Sequence, residues 1–234
     1  MASSTIQLSR TLLVTSQFIR NAPLTFTSPV TTNDPGFSNA DWVRQFILGP
    51  PFAWRWNRGT ANFTCVIGQS DYPLSVPTFG WLEKASFTDP TNGNQPYEFE
   101  IALDLTPGSP QLPSKIAAFD DDGEGNITFR VFPAPDQEYP VTLLYQNAAP
   151  LFVATSDTWS PIPDWQSFLY NQGMLAKAYE YMNDDRYVGA MQLFLQQVVM
   201  SDNGLTESQK SIFLEDRINM VRQNIGVQAT ARRS

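Results

Sequence analysis

Hydrophobic positions recur at two different periods along this chain, and the changes of period mark off three regions. Over residues 1–50, Leu8, Leu12, Thr15 and Ile19 fall on one side of a 3.6-residue repeat, which predicts an amphipathic helix. The stretch "NAPLTFTSPVTTNDPGF", residues 21–37, holds three prolines and predicts a loop. Ser38-Asn39-Ala40-Asp41 has the form of a capping box: the serine accepts from an early backbone N–H and the aspartate reaches back. Trp42, Val43, Phe46 and Ile47 continue at helical spacing until Gly49-Pro50-Pro51 stops the helix.

From about residue 61 the period becomes two. Phe63, Cys65 and Ile67 alternate with polar or smaller neighbours, as do Tyr72, Leu74 and Val76. Tyr97, Phe99, Ile101 and Leu103 read as one strand interleaved with Glu98, Glu100 and Asp104. "KIAAF", "NITFRVF" and "YPVTLLYQ" complete the pattern, which ends near residue 150. Short strands broken by Gly, Pro and Asn predict an antiparallel β-sandwich or barrel.

After a linker, "ATSDTWSPIP", the helical period returns. Trp165, Phe168, Leu169, Leu175, Ala176, Tyr179 and Met182 form one predicted core stripe; Tyr187, Met191, Phe194, Leu195 and Val198 form a second. Thr206-Glu207-Ser208-Gln209 is another capping box, opening a helix with Leu214, Ile218, Val221 and Ile225 on its apolar side. The end, "GVQATARRS", has no periodicity. The expected fold is therefore α+β. Helices from residues 1–50 and 156–225 form one bundle, residues 51–155 are an inserted antiparallel β-domain, and residues 226–234 are a tail.

Composition narrows the function classes. A hydrophobic fraction of 42% with 13% aromatics supplies a sizeable core, and 18 scattered prolines suit loops and edge strands. The formal net charge of −8 runs against a nucleic-acid binder, which needs clustered Lys and Arg. The single cysteine, Cys65, excludes an intramolecular disulfide and sits in an apolar alternation that predicts burial. The N-terminus lacks a signal peptide's basic start and apolar run, and no stretch approaches the roughly 20 apolar residues of a membrane span. A soluble chain made in a cytosol is expected, with the sequons at Asn62 and Asn126 accidental.

Candidate chemistry is sparse. Histidine is absent, which removes the commonest general base and metal ligand together. Neither GxGxxG nor GxxxxGK[ST] occurs. "DDDGEGN", Asp120 to Asn126, fails as a calcium loop because Val131 stands where the bidentate acid belongs; its Asp-Gly and Gly-Asn pairs predict a hairpin turn. Glu98, Glu100 and Asp104 fall on one solvated strand face rather than forming a paired-acid site. No catalytic residue, cofactor or metal ligand is expected. Trp54-Arg55-Trp56 has two readings: an aromatic platform for sugars, or two indoles on one face filling the seam between helices and sheet. The second is the expectation, with Trp42, Trp54, Trp56 and Tyr72 packing the domain junction and Arg55 and Arg58 pointing away.

The order of these motifs resembles the bacteriophage head-to-tail adaptor (connector) proteins over residues 38–225. The resemblance rests on Trp54-x-Trp56 before a strand, then Gly68, Gln69, Asp71, Tyr72 and Leu74, then "DDDGEGNITFRVFPAPDQEYPVTLLYQNAAP". Ile162-Pro163-Asp164 and mid-helix Gly173 complete it. It implies a structural virion protein in the neck: a homo-oligomeric ring of roughly twelve copies docked under the portal protein and above tail or nozzle proteins. Double-stranded DNA would pass through without specific binding, and no membrane is involved. The resemblance also implies that the C-terminal segment, with Arg222, Ile225, Val227, Arg232 and Arg233, folds on docking to an acidic portal groove. A stopper, a tail-tube protein and a glycan-binding β-sandwich are the competing classes.

Overall fold

A proline opens the second helix. The computed structural model describes residues 4–18, 35–103, 105–106, 108–217 and 219. Helix α1 (Leu8–Phe18) is followed by α2 (Pro35–Leu48). Pro35 suits the first helical position, where its missing N–H costs nothing. The capping box expected at Ser38 does not form. Ser38 lies inside α2 and donates to the Pro35 carbonyl, while Asp41 accepts the distant Phe152 N–H at 2.9 Å. Phe37, Ala40, Val43 and Ile47 are the buried stripe. Arg44 is buried beside them: its guanidinium lies 3.6 Å over the Phe152 ring and donates to the Pro150 carbonyl. Burial pushes Arg44 down to about 10, against the attraction of Asp41 and Asp157.

The chain divides into two compact units, Met1–Asn57 with Ala149–Ser234, and Arg58–Ala148. In the first, α3 (Ser167–Tyr181), α4 (Tyr187–Met200) and α5 (207–217) join α1 and α2. Leu8, Leu12, Val43, Ile47, Tyr170, Met174, Phe194 and Val198 meet in one hydrophobic cluster. Ile19 and Ile218 fall outside the described residues. The expected α3 stripe is partly wrong: Trp165, Phe168 and Met182 are exposed, and Tyr170 and Met174 are buried instead. A short 3-10 turn, Asp164–Gln166, precedes the helix, so Trp165 is not in helical phase. Asn203 closes α4 by donating to the Val198 and Val199 carbonyls. The Thr206–Gln209 capping box forms as expected, with reciprocal bonds of 2.9 and 3.3 Å.

Residues 154–163 are no loose linker. Trp159 is fully buried, stacked on Tyr170 with centroids 4.3 Å apart, and donates its indole N–H to Thr11 Oγ1 at 2.8 Å. The Asp164 carboxylate accepts from the Ser4 and Thr5 hydroxyls and the Thr5 and Ile6 N–H groups. These bonds hold it below the usual carboxylate range.

The second unit has two four-stranded sheets. Its strands are β1 (Arg58–Thr64), β2 (Asp71–Ser75), β3 (Phe79–Asp89), β4 (Gln95–Glu98), β5 (Glu100–Ile101), β6 (Lys115–Asp121), β7 (Asn126–Phe132) and β8 (Pro140–Asn147). The orders are β1-β8-β3-β4 and β2-β7-β6-β5, both open, so no barrel closes. Inward residues of both sheets, among them Cys65, Tyr72, Phe87, Ile116, Phe129, Val131 and Leu143, form one core. The strand expected over 97–103 is two strands in different sheets. β4 pairs antiparallel with β3, the chain crosses at buried Phe99, and β5 pairs parallel with β6. Ile101 and Leu103 are therefore exposed, and the unit is not wholly antiparallel. β1 stops at Thr64, leaving Ile67 exposed as well.

Gly173 and Gly189 give opposite expectations. A Cβ at Gly173 would sit 2.7 Å from Val43 Cγ1 and 2.9 Å from the Phe194 ring; one at Gly189 meets nothing within 4 Å. Gly173→Ala should destabilise by about 1–3 kcal/mol, whereas Gly189→Ala should stabilise by about 0.5–1 kcal/mol. Thermal melts of the two variants check this; a Gly173→Ala variant as stable as the parent would contradict the close approach.

Candidate functional site

Trp54 is fully buried, so it offers no platform to a sugar. Its indole N–H donates to the Ile47 carbonyl at 2.6 Å, and its ring stacks on Trp56 with centroids 5.3 Å apart. The two indoles do share a face, and both belong to the core of the helical unit with Phe52. Trp42 stacks on Phe46 at 5.2 Å and carries the Lys177 ammonium 4.6 Å from its ring centroid. Tyr72 lies in the core of the sheet unit. Arg55 points to solvent, 3.7 Å from Asp202. Arg58 does not point away: it is held by Glu83, which also accepts from Gln146 at 2.6 Å.

The Gly68–Leu74 stretch is a braced turn. Gly68 has φ +73° and donates its N–H to the Pro135 carbonyl at 2.8 Å. The Tyr72 hydroxyl donates to the Gln69 carbonyl at 2.7 Å and accepts the Val66 N–H at 3.0 Å. Burial raises its pKa. Asp71 receives Arg130 through two bonds of 2.6 and 2.8 Å, and that guanidinium lies 3.4 Å over Phe119. Tyr139 repeats the device further on, donating to Asp136 at 2.7 Å with its ring edge-on to Phe87. The two tyrosine hydroxyls brace their own turns, and the Asp71–Arg130 pair joins β2 to β7.

The other candidates are engaged in turns and in ion pairs between strands. Asp122 accepts the Glu124 and Asn126 N–H groups, and Asp121 accepts that of Gly123, so the hairpin acids bond their own turn. Glu98 pairs with Lys84 and Glu100 with Lys115, whereas Asp104 lies outside the described residues. Among the described residues no group of three or more His, Cys, Asp or Glu could hold a metal ion. Cys65 is fully buried, and burial pushes its thiol up to about 11. Arg222, Ile225, Val227, Arg232 and Arg233 all lie outside the described residues.

What sequence reasoning missed is the exposure of several large apolar side chains. Leu13, Trp165 and Phe168 are 61%, 65% and 43% exposed on the helical unit. Phe168 also lines a cavity of about 420 Å³ with Val14 and Leu175, between α1, α3 and α4. A break in helical phase at Pro163 was the available signal, since residues before α3 need not follow its stripe.

The Asp71–Arg130 pair should be visible in acid. Arg130 holds the Asp71 carboxyl below its ordinary value. A lowered carboxylate contributes stability that is complete above its unfolded value, near pH 4, and is lost as the pH falls through the lowered folded value. Asp71→Asn should therefore flatten the decline of melting temperature below about pH 4. An unchanged slope would show that the pair does not report on folding.

Among the described residues no helix is long and apolar enough to cross a membrane. No curated protein sequence matches the chain. Residues 35–218, from the first residue of α2 through α5, match the family described as SU10 adaptor protein. That span contains the Trp54–Trp56 stack, the braced turn at Gly68 and the close approach at Gly173. The chain thus belongs to the SU10 adaptor proteins, a family of phage head-to-tail adaptors.

Proposed function

We propose that this adaptor works as a ring of roughly twelve copies, closed by one heterologous interface repeated about the axis. In this reading the ring joins the portal to the tail or nozzle proteins of the virion, and genomic DNA passes through it. The observation that carries the reading is the family match across both compact units. Exposed Leu13, Trp165 and Phe168 support it, since large apolar side chains left at a surface suit a contact with another protein. A net charge of −8 suits a conduit that does not grip phosphates, because no counterion release would hold DNA to its wall. The chain acts in this reading as a structural part and not as an enzyme; the Asp122 carboxylate and the Tyr72 hydroxyl brace turns, and the Cys65 thiol is buried in the sheet core. The C-terminal segment, with Arg222, Arg232 and Arg233, docks to an acidic groove of the portal.

Mass photometry of the chain, alone and with portal rings of the same genome, tests this. The expected result is that the chain builds no ring or tube alone and adds many copies to each portal. Deleting residues 223–234 should weaken that uptake. Tubes without portal would indicate a tail-tube protein, and indifference to portal would overturn the adaptor position.

A further inference from the structure

We propose that the outer edge of β1 pairs antiparallel with β1 of a second copy, so that two sheets become one in the free protein. An antiparallel strand turns alternate residues toward its neighbour and the rest outward. The Cys65 N–H donates to the Tyr139 carbonyl, and β1 pairs with β8 in the same register. Gly59, Ala61 and Phe63 therefore bond to β8, while Thr60, Asn62 and Thr64 turn their backbone N–H and C=O groups away from it. Those residues are exposed and uncharged, and no described residue bonds to their backbone.

The remaining sheet edges carry devices that block strand addition. In β2 the Val131 N–H donates to the Ser70 carbonyl, so alternation puts Pro73 on the outer edge, where a donor is missing. β4 is four residues long and contains Pro96; β5 is two residues long. β1 is seven residues long, free of proline, and has neutral Thr60, Asn62 and Thr64 on its outer face. Among the described strands it is the edge left open.

Its residues are self-complementary in one register. With Asn62 opposite Asn62 of the second copy, Thr60 faces the copy's Thr64, and each of these pairs can exchange two backbone bonds. Cross-strand threonine pairs are favourable in their own right. On the other face half-buried Phe63 then meets the copy's Ala61, a large side chain against a small one. A slip of two residues would set Phe63 against Phe63 or Ala61 against Ala61 and lose that fit. Such a pair has two-fold symmetry, whereas a ring repeats a heterologous contact. It is thus a state of the unassembled chain, and it stands or falls independently of the ring.

Sedimentation velocity on the full chain between about 1 and 100 µM, the span of weak to moderate association, is the test. Mass should rise toward twice that of one chain as concentration increases, and the Asn62 amide should exchange more slowly in the dimer. Asn62→Pro removes only an outward N–H, and Asn62→Lys leaves the backbone intact while adding like charges at the centre. Both should stay monomeric with a melting temperature near the parent's; if the proline variant fails to fold, the lysine variant decides. A parent that is monomeric throughout, or a dimer that survives the lysine substitution, overturns the proposal. A monomeric parent whose Asn62→Lys variant loses uptake on portal rings would assign the edge to a portal strand instead, which also overturns self-pairing.

Discussion

The helical unit depends on Trp159 lying flat against Tyr170 while its indole N–H reaches Thr11. That one side chain ties the segment before α3, and α3 itself, to α1, which is far away in sequence. Asp164 adds a second tie by accepting two hydroxyls and two backbone N–H groups from Ser4 to Ile6. A buried indole with its N–H satisfied contributes large apolar area without an orphaned donor. The consequence is topological: the N-terminal helices cannot complete their core until the chain has returned at residue 149. The sheet unit, Arg58–Ala148, is inserted between the two parts of that core.

Within this frame the family-matched motifs acquire physical meaning. Gly68 takes a left-handed conformation and Tyr72 bonds back across its own turn. Asp71 and Arg130 clamp β2 to β7, where opposite charges face each other in register. Gly173 lets α3 approach Val43 of α2 and Phe194 of α4 closely. These features brace turns and helix contacts in a proline-rich sequence. The exposed apolar side chains and the open β1 edge lie outside these braced turns.

Much of this was legible from period and punctuation. The change from helical to alternating pattern near residue 61, the stop at Gly49-Pro50-Pro51 and the Thr206–Gln209 box all follow from local chemistry. Errors arose where tertiary contacts outweighed local pattern. Ser38 had the right neighbours for a cap, but Pro35 started the helix a turn earlier and Phe152 claimed Asp41. Residues 97–103 alternate without interruption, and nothing in that alternation reveals a crossing between sheets at Phe99. The segment at 154–163 reads as polar and proline-rich, yet its Asp157 satisfies the Val153 and Ala154 N–H groups while Trp159 fills the core. Of the candidate site, the shared face of Trp54 and Trp56 could be read from spacing. The break at Pro163 could have set Trp165 apart, but the exposed Phe168 could not be read, because a hydrophobic residue near a helix start fits a core stripe as well as a contact surface.

The central claim is that this chain is a structural link in the virion neck. Cryo-electron microscopy of the neck of intact virions, at a resolution that traces side chains, tests it most directly. The account predicts a ring beneath the portal in which each subunit carries the Trp54–Trp56 stack and two open four-stranded sheets. A neck ring whose density fits another chain, with this one absent or located elsewhere in the particle, would contradict it.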